Sequence, residues 1–338
     1  MKNNIEIIAE LAQGFEGKPD QTFQMLKAAA ASGANAAKFQ LVYADELAMP
    51  DHQHYDIFSG LEMEDQVWEE LVRMSKELSI EVIFDIFGVK SLNLAEKLGS
   101  ETVMLHATDI TNLELIEDVS TRSISRVILG AGGAYLSEIE AALDLLKNKK
   151  VCVMAGFQGY PTPDEHNQIS RINYLSLRIA EKNNNVDIGF ADHSLPDSKL
   201  LTSFSSMAYS AGARIFEKHL TLSQVMKLED YESAINPDQF FDYCYELREC
   251  VKAFGVTKNA QDFGMSSSEK KYRKFVQRNI VAIKDLKKGN IMSKDDIKLI
   301  RTSNNNAITD IKKVIGKKLL KDFKKNQALS KSDLGNSY

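Results

Sequence analysis

From residue 5 onward the chain alternates short apolar runs with longer segments whose apolar residues recur every three to four positions. The short runs lie at 5–11, 36–40, 81–86, 102–107, 126–130, 150–155, 187–192 and 213–219. Each is the length of a strand, and several end abruptly in polar groups, as buried strands do where their tips open into a pocket. The segments between them, 21–32, 64–78, 92–98, 113–119, 137–146, 170–181 and 200–211, are amphipathic or rich in Ala and Leu and predict helices. Unbroken alternation of this kind implies parallel strands joined by helical crossovers. Eight strands predict an α/β fold closed into a (β/α)8 barrel. An open dinucleotide-binding sheet is the other architecture with this alternation, but no GxGxxG motif follows the first strand.

A further helix is predicted over 238–253, starting behind Pro237. The run Gly264-Met265-Ser266-Ser267-Ser268 then marks a boundary. The expected organisation is a barrel domain over 1–262, a linker over 263–274 and a small module over 275–338. Within that module the pattern predicts a strand at 278–284, a turn, a short capped helix at 293–299, a polar loop at 301–308 and a lysine-rich end. So small a module is expected to lean on the barrel or on a second chain.

In barrels of this kind the chemistry gathers at the C-terminal ends of the strands. The last two strands end in Gly189-Phe190-Ala191-Asp192-His193-Ser194 and Ile215-Phe216-Glu217-Lys218-His219-Leu220-Thr221. His193 and His219 therefore fall on neighbouring strand tips, where neutral imidazoles could ligate a divalent metal, with Asp192 and Glu217 placed to orient them. Two histidines leave such a metal open to water or substrate. The other tips carry Glu10, then Lys38 and Gln40 on one face of the second strand, Asp85, and His106-Ala107-Thr108-Asp109. The glycine-rich Gly130–Gly133 turn could admit a ligand to its backbone or be a plain tight turn. A lysine at such a tip neutralises an anion or forms a Schiff base.

Composition narrows the partners. A net charge of −5 provides no overall basic field, and the seven lysines from Lys312 to Lys325 lack interleaved aromatics, so nucleic acid is not an expected partner. No apolar run approaches the roughly 20 residues of a membrane span. Three cysteines, Cys152, Cys244 and Cys250, form no CxxC pair, and the first strand begins almost at once; a cytoplasmic protein with reduced thiols is expected.

The phrases Ile8-Ala9-Glu10-Leu11-Ala12-Gln13-Gly14, Lys38-Phe39-Gln40, Tyr160-Pro161-Thr162-Pro163, Ala191-Asp192-His193-Ser194 and Glu217-Lys218-His219-Leu220-Thr221 resemble the sialic acid synthase family. The tail from Arg278-Asn279-Ile280-Val281-Ala282 to Leu299-Ile300-Arg301 resembles that family's antifreeze-like SAF domain. The resemblance implies condensation of phosphoenolpyruvate with an open-chain N-acetylmannosamine-type aldehyde, giving a nine-carbon sugar acid and phosphate. It further implies that His193 and His219 hold Mn²⁺ or Mg²⁺, that Glu10, Gln40, Glu217 and Asp230 hold the sugar with Tyr160 beside it, and that Lys38 sits by the phosphoenolpyruvate. Arg301, supplied by the other subunit of a domain-swapped homodimer, would bind the N-acyl group.

The chain also departs from the family. Where relatives carry a lysine and hydroxyl residues around phosphoenolpyruvate, the aligned positions here are Met104, Ala107, Gly130, Phe84-Asp85 and Gln158; Ala191 replaces a serine, Phe15 a histidine, and Thr302 follows Arg301 where relatives have proline. These departures count against an unchanged phosphoenolpyruvate site. They leave two other readings beside the synthase: a metal-dependent aldolase or lyase using Lys38 as a Schiff-base amine, and a non-catalytic sugar-binding paralogue.

Overall fold

The computed structural model of the protein describes residues 5–157, 159–180, 183–255, 263–304 and 306–335. The Gln158 position, aligned with a family asparagine, lies outside the described residues. The chain divides into two compact units, one running to Gly255 and one following it.

In the first unit the short apolar runs become eight strands: β1 (Glu6–Ala12), β2 (Ala36–Gln40), β3 (Glu81–Ile86), β4 (Thr102–Leu105), β5 (Arg126–Gly130), β6 (Lys150–Ala155), β7 (Val186–Asp192) and β8 (Ile215–His219). They are parallel and follow one another in order around a closed barrel, which β8 completes by pairing Glu6 with Ile215 and Glu10 with His219. Side chains alternate across each strand. Ile8, Ala36, Ile83, Met104, Ile128, Cys152 and Ile215 fill the interior, while Ile7, Phe39, Phe84, Val103 and Phe216 face the surrounding helices. Counting in twos from the interior residues fixes what reaches the mouth: Glu10, Lys38, Asp85, His106, His193, Glu217 and His219 all continue the inward set.

The expected helices form, with boundaries moved by a few residues; the last turn of the helix that opens at Ser170–Leu175 widens over Ser176–Ala180. Two short helices in the β2–β3 connection, Ala44–Leu47 and Tyr55–Leu61, break the simple alternation and have too few apolar positions to stand out in the sequence. The strand expected at 102–107 ends at Leu105, because the chain turns through Ala107–Asp109. Gly130 serves that turn. A Cβ there would stand 2.6 Å from the Ala107 nitrogen, so the missing side chain admits protein backbone rather than a ligand, and Gly133 at φ 78° completes the tight turn. Phe15 lies wholly buried against Trp68 at 5.6 Å between rings, and Trp68 also meets Phe84 at 5.6 Å and Phe39 at 6.3 Å. It is therefore packing outside the barrel, not part of the pocket.

In the second unit the segment expected as a linker contains a helix, Ser267–Val276, whose N-cap Ser266 accepts from the Glu269 amide. β9 (Asn279–Ala282) pairs antiparallel with β10 (Ile297–Ile300), and β11 (Lys318–Leu319) with β12 (Leu334–Gly335). The helix expected at 293–299 is thus corrected. Ser293 does cap a turn, Lys294–Asp296, but pairing of Ile297 with Ala282 draws the following residues into a strand. A small core of its own, including Ile280, Val314, Phe323 and Leu329, fills this unit. Its lysines are solvated, several of them paired with acids as Lys321 is with Asp333 and Lys324 with Asp285. Among the described residues no helix is long and apolar enough to cross a membrane.

The Trp68 cluster makes a stability prediction. Trp68→Ala should lower unfolding free energy by about 3–5 kcal/mol, the usual cost of emptying a buried aromatic site; denaturant titration showing a loss below 1 kcal/mol would mean the helix repacks without it.

Candidate active site

At the foot of the mouth, Lys38 Nζ lies 2.6 Å from Glu10 Oε2 and 2.7 Å from Glu217 Oε2, with all three side chains buried. Three different strands supply them, brought together by barrel closure. Met104 Sδ, at 2.6 Å from Nζ, closes the fourth side of the ammonium. Glu10 Oε1 accepts from the Ala12 amide at 2.7 Å, where β1 bulges and Ala12 takes φ 44°. One cation shared between two carboxylates in a dry site leaves an excess negative charge. Burial is the main cause that lifts the Glu10 carboxyl, opposed by Lys38 and reinforced by Glu217, to a pKa of about 8. Lys38 goes the other way: although burial disfavours its charge, Glu10, Glu217 and Asp85 hold it firmly protonated. An ammonium so held is a poor Schiff-base amine, which argues against the lyase chemistry built on Lys38.

Above this trio the His193 and His219 rings stand 5.1 Å apart between centroids. Tyr160, on the loop after β6, lies edge-on to both at 4.9 and 5.5 Å, following a cis peptide bond to Pro161. Burial lowers the His193 pKa to about 4 and drives that of His219 well below its ordinary value, so both rings are neutral at neutral pH. The carboxylates expected to orient them do other work. Glu217 holds Lys38, and Asp192 accepts from the Ser194 amide at 2.8 Å and from its hydroxyl at 2.5 Å, while facing the buried Lys218 at 3.6 Å. Lys218 in turn donates to the Ser194 carbonyl at 2.9 Å. The backbone holds His193 instead: its carbonyl accepts from the Thr162 amide and the Ser233 hydroxyl, both at 2.8 Å. Asp230, on the loop after β8, places Oδ2 3.8 Å from His219 Nδ1. Burial lifts the Asp230 carboxyl to about 7.

The two imidazoles fit a divalent cation. They are neutral, they face one another, and His193 Nδ1 is buried without a hydrogen-bond partner. Among the described residues no three His, Cys, Asp or Glu side chains converge as one metal cluster, so the pair is an open site needing water or substrate to complete it. Gln40 continues the Lys38 face and accepts from Gln13 Nε2 at 2.7 Å. Arg301 belongs to the second unit, where it is exposed and donates from Nε to the Val276 carbonyl at 3.1 Å. His106 was present in the sequence reading only as part of a strand end. It is mostly buried, its Nδ1 lies 3.0 Å from Thr108 Oγ1, and burial followed by the charge of Lys38 lowers its pKa to about 4. Its position two residues beyond Met104 was the signal.

A barrel whose strand tips gather an open histidine pair over a carboxylate–lysine–carboxylate trio, followed by a small β unit, defines a class of sugar-acid synthases. The NeuB family profile matches residues 25–259 and the SAF domain profile residues 277–335. The chain belongs to the NeuB family. It is 27% identical to N,N'-diacetyllegionaminic acid synthase of Campylobacter jejuni over 96% of this chain and 98% of that protein. It is 26% identical to a pseudaminic acid synthase of the same species over 97% and 96%. The crystal structure of N-acetylneuraminic acid synthetase from Leptospira borgpetersenii superposes with a TM-score of 0.71 at 25% identity, covering 80% of this chain and 91% of that one.

The Glu10 site predicts a pH dependence. Between its ordinary value of 4.5 and about 8 the folded chain holds a proton that the unfolded chain has released. The resulting stabilisation is complete below 4.5 and is lost as pH rises through about 8. The melting temperature should fall over that window in the wild type and fall less steeply in Glu10→Gln; parallel curves would remove the assignment.

Proposed function

We propose that the protein is a nonulosonic acid synthase, condensing phosphoenolpyruvate with the open-chain aldehyde of an N-acylated mannosamine-type sugar and releasing phosphate. The observation that carries this reading is the convergence of Glu10, Lys38 and Glu217 beneath His193, His219 and Tyr160 at one barrel mouth. His193 and His219 would hold Mn²⁺ or Mg²⁺, which when bound polarises a carbonyl as a Lewis acid. Lys38 places a permanent positive charge beside the anionic donor. Glu10, protonated up to about pH 8, can hand a hydrogen bond to a sugar oxygen, and Glu217 can accept one. Tyr160 and Gln40 line the sugar side, and Asp230 limits its outer edge. The relatives named for legionaminic, pseudaminic and N-acetylneuraminic acids support an acylamino sugar as the acceptor.

The proposed assembly is a domain-swapped homodimer in which Arg301 of the partner subunit grips the N-acyl group. The boundaries proposed from sequence, 1–262, 263–274 and 275–338, sit close to the matched profiles, with the helix Ser267–Val276 running across the second of them.

The decisive assay is phosphate release from phosphoenolpyruvate with Mn²⁺ and a panel of N-acylated mannosamine-type sugars. Release should require both sugar and metal, and His193→Ala or His219→Ala should reduce it by at least about 10²-fold, as loss of a metal ligand or its support does. Silence across the panel with sugar binding intact would replace the synthase with a lyase or a binding subunit. Arg301→Ala should raise the sugar KM while leaving that for phosphoenolpyruvate in place; an unchanged sugar KM would remove Arg301 from the site.

A further inference from the structure

Asp85 differs from the other acids of the mouth in having no partner. It is 1% exposed, and neither carboxyl oxygen has a hydrogen-bond partner. Its place is fixed by the strand: Ile83 belongs to the barrel interior, so Asp85, two residues on, points the same way, level with Gln40 on β2 and Met104 on β4. Outward-facing Phe84 takes the aromatic cluster and leaves Asp85 no choice of side. Facing it are Lys38 from β2, Glu10 from β1, Glu217 from β8 and Asp109 from the turn after β4. The one cation in that group is already engaged at 2.6 and 2.7 Å by Glu10 and Glu217.

A buried acid with no partner destabilises the free protein, and such groups persist where the partner arrives later. Ionised, Asp85 would be a third carboxylate around a single ammonium. Burial, with the charges of Glu10 and Glu217 adding to it, outweighs Lys38 and raises its pKa well above the usual carboxylate range. It therefore carries a proton and presents an O–H donor at the inner end of the pocket.

Resting on the phosphoenolpyruvate reading above, we propose that Asp85 is a ligand-binding acid of the donor pocket, whose carboxyl O–H donates to an anionic oxygen of the three-carbon donor. A neutral acid solves a specific problem. The inner end has one cation and several carboxyl groups, and a donor that brings no negative charge lets an anion settle beside Lys38. Once that proton is lost, the same residue repels the same anion.

The test is calorimetric titration of phosphoenolpyruvate into the full chain, as wild type, Asp85→Asn and Asp85→Leu, from pH 6 to 9, with melting temperatures recorded for the ligand-free proteins. Both variants should melt higher than wild type, because each removes an unpaired buried acid. Asp85→Asn retains a donor and should bind within about threefold of wild type at pH 6, whereas Asp85→Leu should bind about tenfold or more weakly. Wild-type affinity should fall with rising pH more steeply than that of Asp85→Asn, which cannot ionise; titrations shared by both, such as that of Glu10, cancel in the comparison. Equal affinities for Asp85→Leu and wild type, or identical pH slopes for wild type and Asp85→Asn, would overturn the role of Asp85. If Asp85→Leu does not fold, the slope comparison decides alone. Failure of wild type to bind phosphoenolpyruvate at all overturns the donor assignment itself, a result separate from binding that ignores Asp85.

Discussion

The placement of Lys38 is the constraint on which the rest of the mouth depends. A buried ammonium is tolerable only where acids compensate it, and here two carboxylates from β1 and β8 meet it on β2. These three strands become neighbours only when the barrel closes, with Glu10 level with Lys38 on one side and His219 on the other. The charge trio and the closure therefore support one another. Small residues make room for it: Ala36 and Ala37 precede Lys38, and Ala191 stands beside Glu217 on β7.

The histidine pair is built on this base by a different means. Its rings are not steered by the adjacent acids of their own strands, which are occupied by Lys38 and Lys218. Lys218, Asp192 and Ser194 form a buried lock on the outer side of β7 and β8, and the carbonyl of His193 is tied to the β6 loop through Thr162 and to the β8 loop through Ser233. Three loops thus converge on one backbone oxygen. The ring nitrogen of His193 is left without a protein partner, which is the condition in which an imidazole can bind an outside ligand.

The barrel was legible in the sequence because its strands are short, apolar and regularly spaced, and because the alternation of inward and outward residues is a property of the backbone alone. The acids and histidines at the tips were legible for the same reason. Which acid serves which base was not, because Glu217 and Asp192 are equally close to the histidines along the chain and are separated only by the strand on which each partner lies. Phe15 and Gly130 each stood where a ligand contact was expected, yet one packs on Trp68 and the other yields space to Ala107, contacts made across the fold rather than along it. The 293–299 segment failed differently. Its Ser293 cap is a real helix-start signal, but pairing with β9 outweighs local propensity after a single turn.

The charges of the mouth explain why its parts belong together. In the protein alone, one ammonium faces Glu10, Glu217 and Asp85, and the excess is relieved by protons on Glu10 and Asp85. A divalent cation on His193 and His219 would add two positive charges beside Glu10, whose strand position is level with His219. It would favour ionised Glu10 far more than ionised Asp85, because Asp85 lies across the barrel on β3, beyond Lys38. The two buried acids thereby become unlike. One is turned toward its base form on the sugar side, while the other stays a neutral donor on the side of the anion. A pocket that must hold an electrophile and an anionic nucleophile a few ångströms apart needs that division, and strand order around the barrel provides it.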